Sequence, residues 1–313
     1  MQSSKAILII NPEAGRGLGR ERGAAIGRYL HELGLPTRIL NSAGPGDVQT
    51  KVQAALAEKP KLVIAAGGDG TVHEAVNGWM RAGGGAPLGV VPVGTGNDFV
   101  KMLDLTHDWR EACWRIVRGD TRRVDVGRCT GTYERPGRQD AGRDGCTDFF
   151  FANSLGIGFD AQVALEANKI RWIRGNAVYG LALAKILTLM HSTPEVRIRH
   201  DGEKLATPIT LLTINNGRVE GGAFVMAPEA EIDDGLFDVV VAKGMGRLGV
   251  LQLLPQVLKG QHMSHPKVVK FRTGRLSVEA DVPLPIHADG ELTYTGAKKL
   301  EIEVLPRALE VIC

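Results

Sequence analysis

The chain has 313 residues, 38 Lys and Arg against 35 Asp and Glu, and a formal net charge of +3. An apolar share of 43% beside 23% charged residues can bury a core, which excludes wholesale disorder. The near-balanced charge argues against a polybasic nucleic-acid binder. Glycine stands out: of 40, 18 fall in the first 96 residues, with no every-third-residue period that would indicate collagen.

Residues 6–10 are a continuous apolar run, as in a strand buried on both faces. The run is too short for the core of a secretion signal. Apolar residues at Ala24, Ala25, Ile26, Tyr29, Leu30 and Leu33 predict a helix over 20–33, with Gly34 as its stop signal. Residues 37–40 and 62–66 predict strands, 48–57 and 72–80 helices, and 88–91 a fourth strand ending at Pro92. Strands alternating with helices predict parallel βαβ units in a doubly wound sheet.

The character changes after about residue 123. Residues 124–127 are strand-like, and the polar stretch 131–148 reads as a hairpin tip or surface loop. Residues 176–190 predict an apolar helix. Short alternating runs at 196–200, 209–215, 237–242, 268–272, 276–280 and 299–304 then predict an antiparallel sandwich or barrel, with one helix at 248–258. The predicted domains are an α/β nucleotide-binding domain, 1–128 with 306–313 returning, and a β-rich domain, 129–305. No stretch of about 18 uncharged apolar residues predicts a spanning helix. Cys113, Cys129, Cys146 and Cys313 form no C-x-x-C pair, which speaks against a zinc site or redox dithiol and for a reduced, cytoplasmic protein. His262 and His265 are too few to indicate a metal site.

Three glycine loops carry the chemistry. Gly67-Gly68-Asp69-Gly70-Thr71 sits between a predicted buried strand and a predicted helix. Glycines there let backbone N–H groups approach phosphate oxygens, and the helix presents its positive end. A carboxylate such as Asp69 is repelled by bare phosphate, so its natural role is to hold Mg²⁺. A glycine turn with a capping Asp is the plain alternative. Pro92-Val93-Gly94-Thr95-Gly96-Asn97-Asp98-Phe99 follows the fourth strand and adds a hydroxyl and a second carboxylate. Asn11-Pro12-Glu13-Ala14-Gly15-Arg16-Gly17 follows the first. Three such loops at strand ends of one sheet make a polyphosphate crevice.

In this order, NPxAGRG, GGDGT and PVGTGNDF resemble the diacylglycerol kinase catalytic-domain family, in its soluble bacterial lipid-kinase branch. That branch is related to sphingosine kinases and more distantly to NAD kinases. The resemblance continues through Val124-Asp125-Val126-Gly127, residues 151–160, residues 227–238 and Asp289-Gly290-Glu291, spanning about residues 6 to 306. It implies ATP- and Mg²⁺-dependent transfer of the γ-phosphoryl group to a lipid hydroxyl. Gly67, Gly68, Gly70, Thr71 and Thr95 correspond to nucleotide-binding positions, with Asn11 nearby. Asn41 stands where the family has a threonine that touches nucleotide, unless that role is displaced to Ser42. Asp69, Asp98 and Asp125 correspond to the carboxylates around the catalytic Mg²⁺, and Glu291 to the acceptor of the substrate's proton. Without the resemblance, Asp289-Gly290-Glu291 reads as an ordinary hairpin turn. Asp234, with the carbonyls of Glu231 and Leu236, corresponds to a second, structural Mg²⁺ site, the alternative being a plain Asp-Asp-Gly turn.

Lys169, Arg171, Arg174 and Lys185 border Trp172, Ile173 and the apolar helix at 176–190. Such a helix suits the headgroup region of a membrane, or equally a core position with solvated basic ends. The expectation is a cytoplasmic lipid kinase, peripheral at the inner face of the membrane, with its lipid substrate entering between the domains. An NAD kinase shares GGDGT but is less consistent with the run around Asn97-Asp98 and with the DxG and DGE motifs. A non-catalytic nucleotide-dependent lipid sensor would need a lost carboxylate, and all four are present.

Overall fold

Ala6–Ile10 (β1), Leu62–Gly67 (β3) and Leu88–Pro92 (β4) are buried along their whole length, the pattern of strands covered on both faces of a parallel sheet. They form the sheet order β4-β3-β1-β2, all parallel. Thr37–Asn41 (β2) is half exposed because it lies at the edge. The chain is described here from a computed structural model, which covers residues 6–132, 146–159, 161–162 and 193–313. It divides into two units, Met1–Val126 with Pro306–Cys313, and Gly127–Leu305.

In the first unit the helices Leu18–Glu32 (α1), Asp47–Ala57 (α2) and Asp69–Arg81 (α3) connect successive strands. Ile26 and Leu30 of α1 pack with Leu8, Ile10 and Ile64 of the sheet. Asp98–Met102 (α4) and Trp109–Arg118 (α5) were not predicted from periodicity. The ends of α5 are nevertheless marked in the sequence. Asp108 Oδ1 accepts the Arg110 N–H at 2.8 Å, and Gly119 takes a left-handed φ of 78° after the last turn. Cys113 and Ile116 point from α5 into the core. Burial pushes the Cys113 thiol up to about 12 and also raises that of Cys129, so both behave as packing residues. The last residues return to this unit, Val311 pairing with Leu88 of β4 in parallel.

Thr121–Thr132 (β5) passes from the first unit into the second, where it pairs with Cys146–Phe151 (β6), the polar stretch lying between them. Residues 133–145 of that stretch lie outside the described residues, as does the apolar helix predicted at 176–190 with its basic border. The second unit continues with Ser154–Gly158 (β7), Glu195–His200 (β8), Glu203–Asn215 (β9), the short pair Val219–Glu220 (β10) and Phe224–Val225 (β11), and Phe237–Lys243 (β12). Helix Arg247–Leu258 (α6) follows, then Val268–Thr273 (β13), Arg275–Ala288 (β14) and Glu291–Ile312 (β15), whose residues from Pro306 onward belong to the first unit.

The long strands β9 and β14 each serve two layers. The first half of β9 pairs with β8 and its second half with β7, and β14 does the same. The change of partner in β9 follows Pro208, and that in β14 spans an irregular stretch between Glu279 and Leu284. Irregularities of this kind let one strand turn a corner between packed sheets. Alternate residues of β8, Val196 and Ile198, face a core with Phe151, Leu212, Phe237 and Ile286. Pairing is antiparallel throughout this set, which is the predicted sandwich.

Candidate active site

The C-terminal ends of β1, β2, β3 and β4 lie in register, Ile10 facing Asn41 and Ala66, and Gly67 facing Pro92. The three glycine loops leave from this one end of the sheet. They interlock through their glycines. A Cβ on Gly94 would collide with Gly68 Cα, and one on Gly15 with the Val93 carbonyl. Val93 N–H donates to the Gly67 carbonyl at 2.9 Å. Several glycines that composition marks as phosphate-approaching are therefore also the positions where one loop's backbone lies on another's. Gly17 differs: its φ is +99° and the space beyond it is open, so only its conformation calls for glycine.

Helix α3 starts at Asp69 behind an extended Gly68, so the N–H groups of Asp69, Gly70 and Thr71 have no acceptor within the helix. Thr71 is buried, and its Oγ1 accepts from Asn11 Nδ2 at 2.9 Å, tying the first loop to the second. Asn11 Oδ1 in turn accepts the Glu13 N–H at 3.0 Å. Thr95 is exposed in the third loop, and Asn41 is exposed at the end of β2.

Asp69 and Asp98 are brought together. Asp69 Oδ1 accepts the Asp98 N–H at 2.6 Å. A Cβ on Gly96 would lie 2.7 Å from Asp69 Oδ2 and 3.9 Å from Asp98 Oδ1, so both carboxylates converge on that glycine. Burial and the neighbouring Asp98 push the Asp69 carboxyl up to about 7, against the backbone N–H groups of residues 97–99 that pull it down. Asp98 is buried and pairs with Lys101 Nζ at 2.9 Å. Among the described residues, no group of three or more His, Cys, Asp or Glu could hold a metal alone. Two carboxylates plus phosphate oxygens are the usual ligand set for Mg²⁺, and this pair fits that donor chemistry.

Asp125 is fully buried in β5, and its Oδ1 accepts the N–H of Arg307 at 2.6 Å. Arg307 has a left-handed φ of 49°, so this bond fastens the returning strand at a strained residue.

In the second unit Asp289 and Gly290, with φ of 53° and 78°, make the two-residue turn between Ala288 of β14 and Glu291 of β15. Positive φ at both positions is the signature of a tight hairpin. Asp289 does more than turn the chain. Its buried Oδ1 accepts from the N–H groups of Ala152, Asn153 and Ser154 at 3.1, 2.7 and 3.2 Å. Its own N–H donates to the Ser154 carbonyl at 2.8 Å. The turn that starts Glu291 is thus pinned to the β6–β7 connection.

Asp234, expected at a second cation site, lies against an arginine. Asp234 Oδ1 accepts the Leu236 N–H at 2.9 Å, while Oδ2 is paired with the Arg272 guanidinium. Arg272 also lies 3.5 Å from Asp238 Oδ2. Glu231 is exposed at the start of the turn. The guanidinium supplies a countercharge at the carboxylate that the resemblance assigns to a second cation site.

Sequence reasoning missed three residues that shape these sites. Asn97, at φ 51°, clamps the third loop by accepting from Gly94 N–H at 3.1 Å and donating to Gly94 O at 2.9 Å. Lys101 neutralises Asp98, and Asp289 pins the hairpin. An Asn before a helix and an Asp-Gly pair are readable turn signals, but their partners are remote.

Comparison with known proteins agrees with this architecture. Residues 5–129 match the model of the diacylglycerol kinase catalytic domain, and residues 153–313 match that of the YegS C-terminal NAD kinase beta sandwich-like domain. The chain is 30% identical over 310 residues to a diacylglycerol kinase of Mycobacterium tuberculosis (strain ATCC 25618 / H37Rv), covering 98% of this chain and 94% of that one. It is 27% identical over 310 residues to the diacylglycerol kinase of Bacillus subtilis (strain 168), covering 98% and 96%. A solved structure of a candidate diacylglycerol kinase from Bacillus anthracis str. Sterne superposes with a TM-score of 0.77 at 26% identity, covering 100% of this chain and 98% of that one. Glycine loops interlocked at one sheet end, a carboxylate pair beside them and these matches over nearly the whole length lead to one conclusion: the chain belongs to the diacylglycerol kinase catalytic-domain family.

Proposed function

We propose that this protein transfers the γ-phosphoryl group of ATP, with Mg²⁺, to the hydroxyl of a lipid, a diacylglycerol or a close relative of it, at the inner face of the membrane. The observation that carries the reading is the convergence of Asp69 and Asp98 on Gly96 beside the N-terminus of α3. Phosphoryl transfer needs positioning and charge neutralisation more than covalent help. The N–H groups at the start of α3, with Gly67 and Gly68 leading into it, receive phosphate oxygens. Asn11 fixes Thr71, and the exposed Thr95 and Asn41 offer further polar contacts to the nucleotide. Held by Asp69 and Asp98, Mg²⁺ would neutralise charge on the phosphates. Asp125 completes the carboxylate set while keeping the returning strand in place. Glu291 takes the proton of the acceptor hydroxyl as the new P–O bond forms, and Asp289 holds the turn from which Glu291 starts. The test is incubation of the purified protein with labelled ATP, Mg²⁺ and fractionated lipids, followed by identification of the product. Labelling of no lipid fraction by an ATP-binding preparation would refute the reading.

The sandwich domain's likeness to NAD kinase supports a second reading, that the acceptor is a nucleotide. A parallel incubation with NAD decides it, since labelled NADP would overturn the lipid reading.

A further inference from the structure

Residues 239–278 contain seven Lys and Arg and no Asp or Glu. The whole chain carries only +3, so the remainder is at 3 − 7 = −4, and the near-neutral total hides a strong local asymmetry. Helix α6 lies within this stretch. Its inner face, Val250, Leu253 and Val257, packs with Met226, Ala242 and Met245. Its outer face is also apolar. Leu248 is 76% exposed, Leu251 49% and Leu258 44%, with exposed Pro255 between them at the same helical spacing. Three of the six large apolar side chains exposed among the described residues lie on this one helix. A helix of a water-facing surface ordinarily turns polar residues outward, so this face is built for an apolar environment.

Cations border it. Arg247 and Lys259 are exposed at its two ends. Lys267 Nζ donates to the Gly244 carbonyl at 3.1 Å, just before the helix starts. Lys259 and Lys267 make no ion pair among the described residues, whereas Lys270 and Arg272, farther along, are matched to Glu229 and Asp234. Lys259 and Lys267, without a carboxylate partner among the described residues, therefore lie beside the helix with the exposed leucines. That pairing of apolar surface with Lys259 and Lys267 complements an anionic bilayer, whose acyl boundary takes leucine and whose headgroups take lysine.

We propose that the outward face of α6, Leu248, Leu251 and Leu258 with Arg247, Lys259 and Lys267 around it, docks on an anionic lipid surface. The proposal rests on the lipid-kinase reading for its purpose, but its test does not depend on turnover. Full-length protein is sedimented with phosphatidylcholine vesicles containing or lacking 30% phosphatidylglycerol. The expected result is binding to the anionic vesicles, weakened at least about tenfold by Leu248→Ser with Leu251→Ser, and at least about tenfold by Lys259→Glu with Lys267→Glu. These surface changes leave the melting temperature and the turnover of a water-soluble six-carbon-chain diacylglycerol unchanged. Equal vesicle binding by wild type and variants overturns the proposal, as does a wild type that fails to bind. A concentration-dependent dimer abolished by the leucine changes, with vesicle binding intact, assigns the face to self-association instead. Absence of turnover in every protein, with the vesicle pattern as expected, refutes the kinase reading and leaves the docking surface standing.

Discussion

Replacing Asp69 by Asn separates the cost of this carboxylate from its proposed use. The Asp69 carboxyl is pushed up to about 7 from an ordinary 3.8, first by burial and then by Asp98. Between those two values the native state holds more protons than the unfolded chain, so stability falls as pH rises through this window and the full penalty is present above it. Three units at ~1.4 kcal/mol each set a ceiling of ~4 kcal/mol. Partial exposure of Asp69 screens the charge and brings the expectation to about 2 kcal/mol. Asn keeps an oxygen to accept the Asp98 N–H, so the loop retains its bond. The variant should therefore unfold about 5 °C above wild type at pH 8, with the gain vanishing near pH 4, while lipid phosphorylation drops about a thousandfold. Mg²⁺ should raise the wild-type melting temperature at pH 8 and leave the variant's unchanged. Thermal unfolding monitored by circular dichroism at the two pH values measures this. A gain independent of pH, or a loss of stability at pH 8, refutes the reasoning.

Other consequences are open to similar measurement. Gly94→Ala places a methyl against Gly68 and should destabilise by about 3 kcal/mol with loss of nucleotide binding. Gly17→Ala, strained but unobstructed, should cost about 1 kcal/mol; calorimetric titration with ATP analogues and urea unfolding compare the two. Asp289→Ala leaves three backbone N–H groups without their acceptor, so a loss of about 3 kcal/mol is expected. Its turnover should fall with the KM for ATP unchanged, as steady-state kinetics would report. Arg272→Ala exposes Asp234 and the Asp238 carboxyl, which burial and Glu229 push up to about 6. Made in the Asp69→Asn background, it should lower stability by about 1 kcal/mol and create a Mg²⁺-dependent rise in melting temperature. No such rise would mean that the guanidinium is not standing in for a cation.

Much of the fold was readable because its signals are local. Apolar runs of strand length, helical spacing such as that of Ile26 and Leu30, and glycines at strand ends each depend on a few neighbouring residues. The α/β layer, the antiparallel sandwich and the three glycine loops follow from them. Helix α5 escaped the periodicity reading although its caps, Asp108 and Gly119, were present in the sequence. The apolar helix α6 was expected, but which of its leucines face outward was not, since Leu253 and Leu251 look alike in a string of letters.

Tertiary structure decided the rest, through contacts between residues remote in sequence. Asp69 meets the Asp98 N–H across 29 positions, Asn11 meets Thr71 across 60, and Asp289 meets Asn153 across 136. No propensity or period encodes such pairs; they exist because packed strands bring their ends into register. The glycine excess shows both levels. By itself the sequence determines that backbone must pass closely at these loops, since no other residue leaves that space. Only the folded chain decides that at Gly15, Gly68 and Gly94 the close neighbour is another loop of the same protein. It likewise brings Arg272 of β13 against Asp234, a pairing across 38 positions that no local signal encodes.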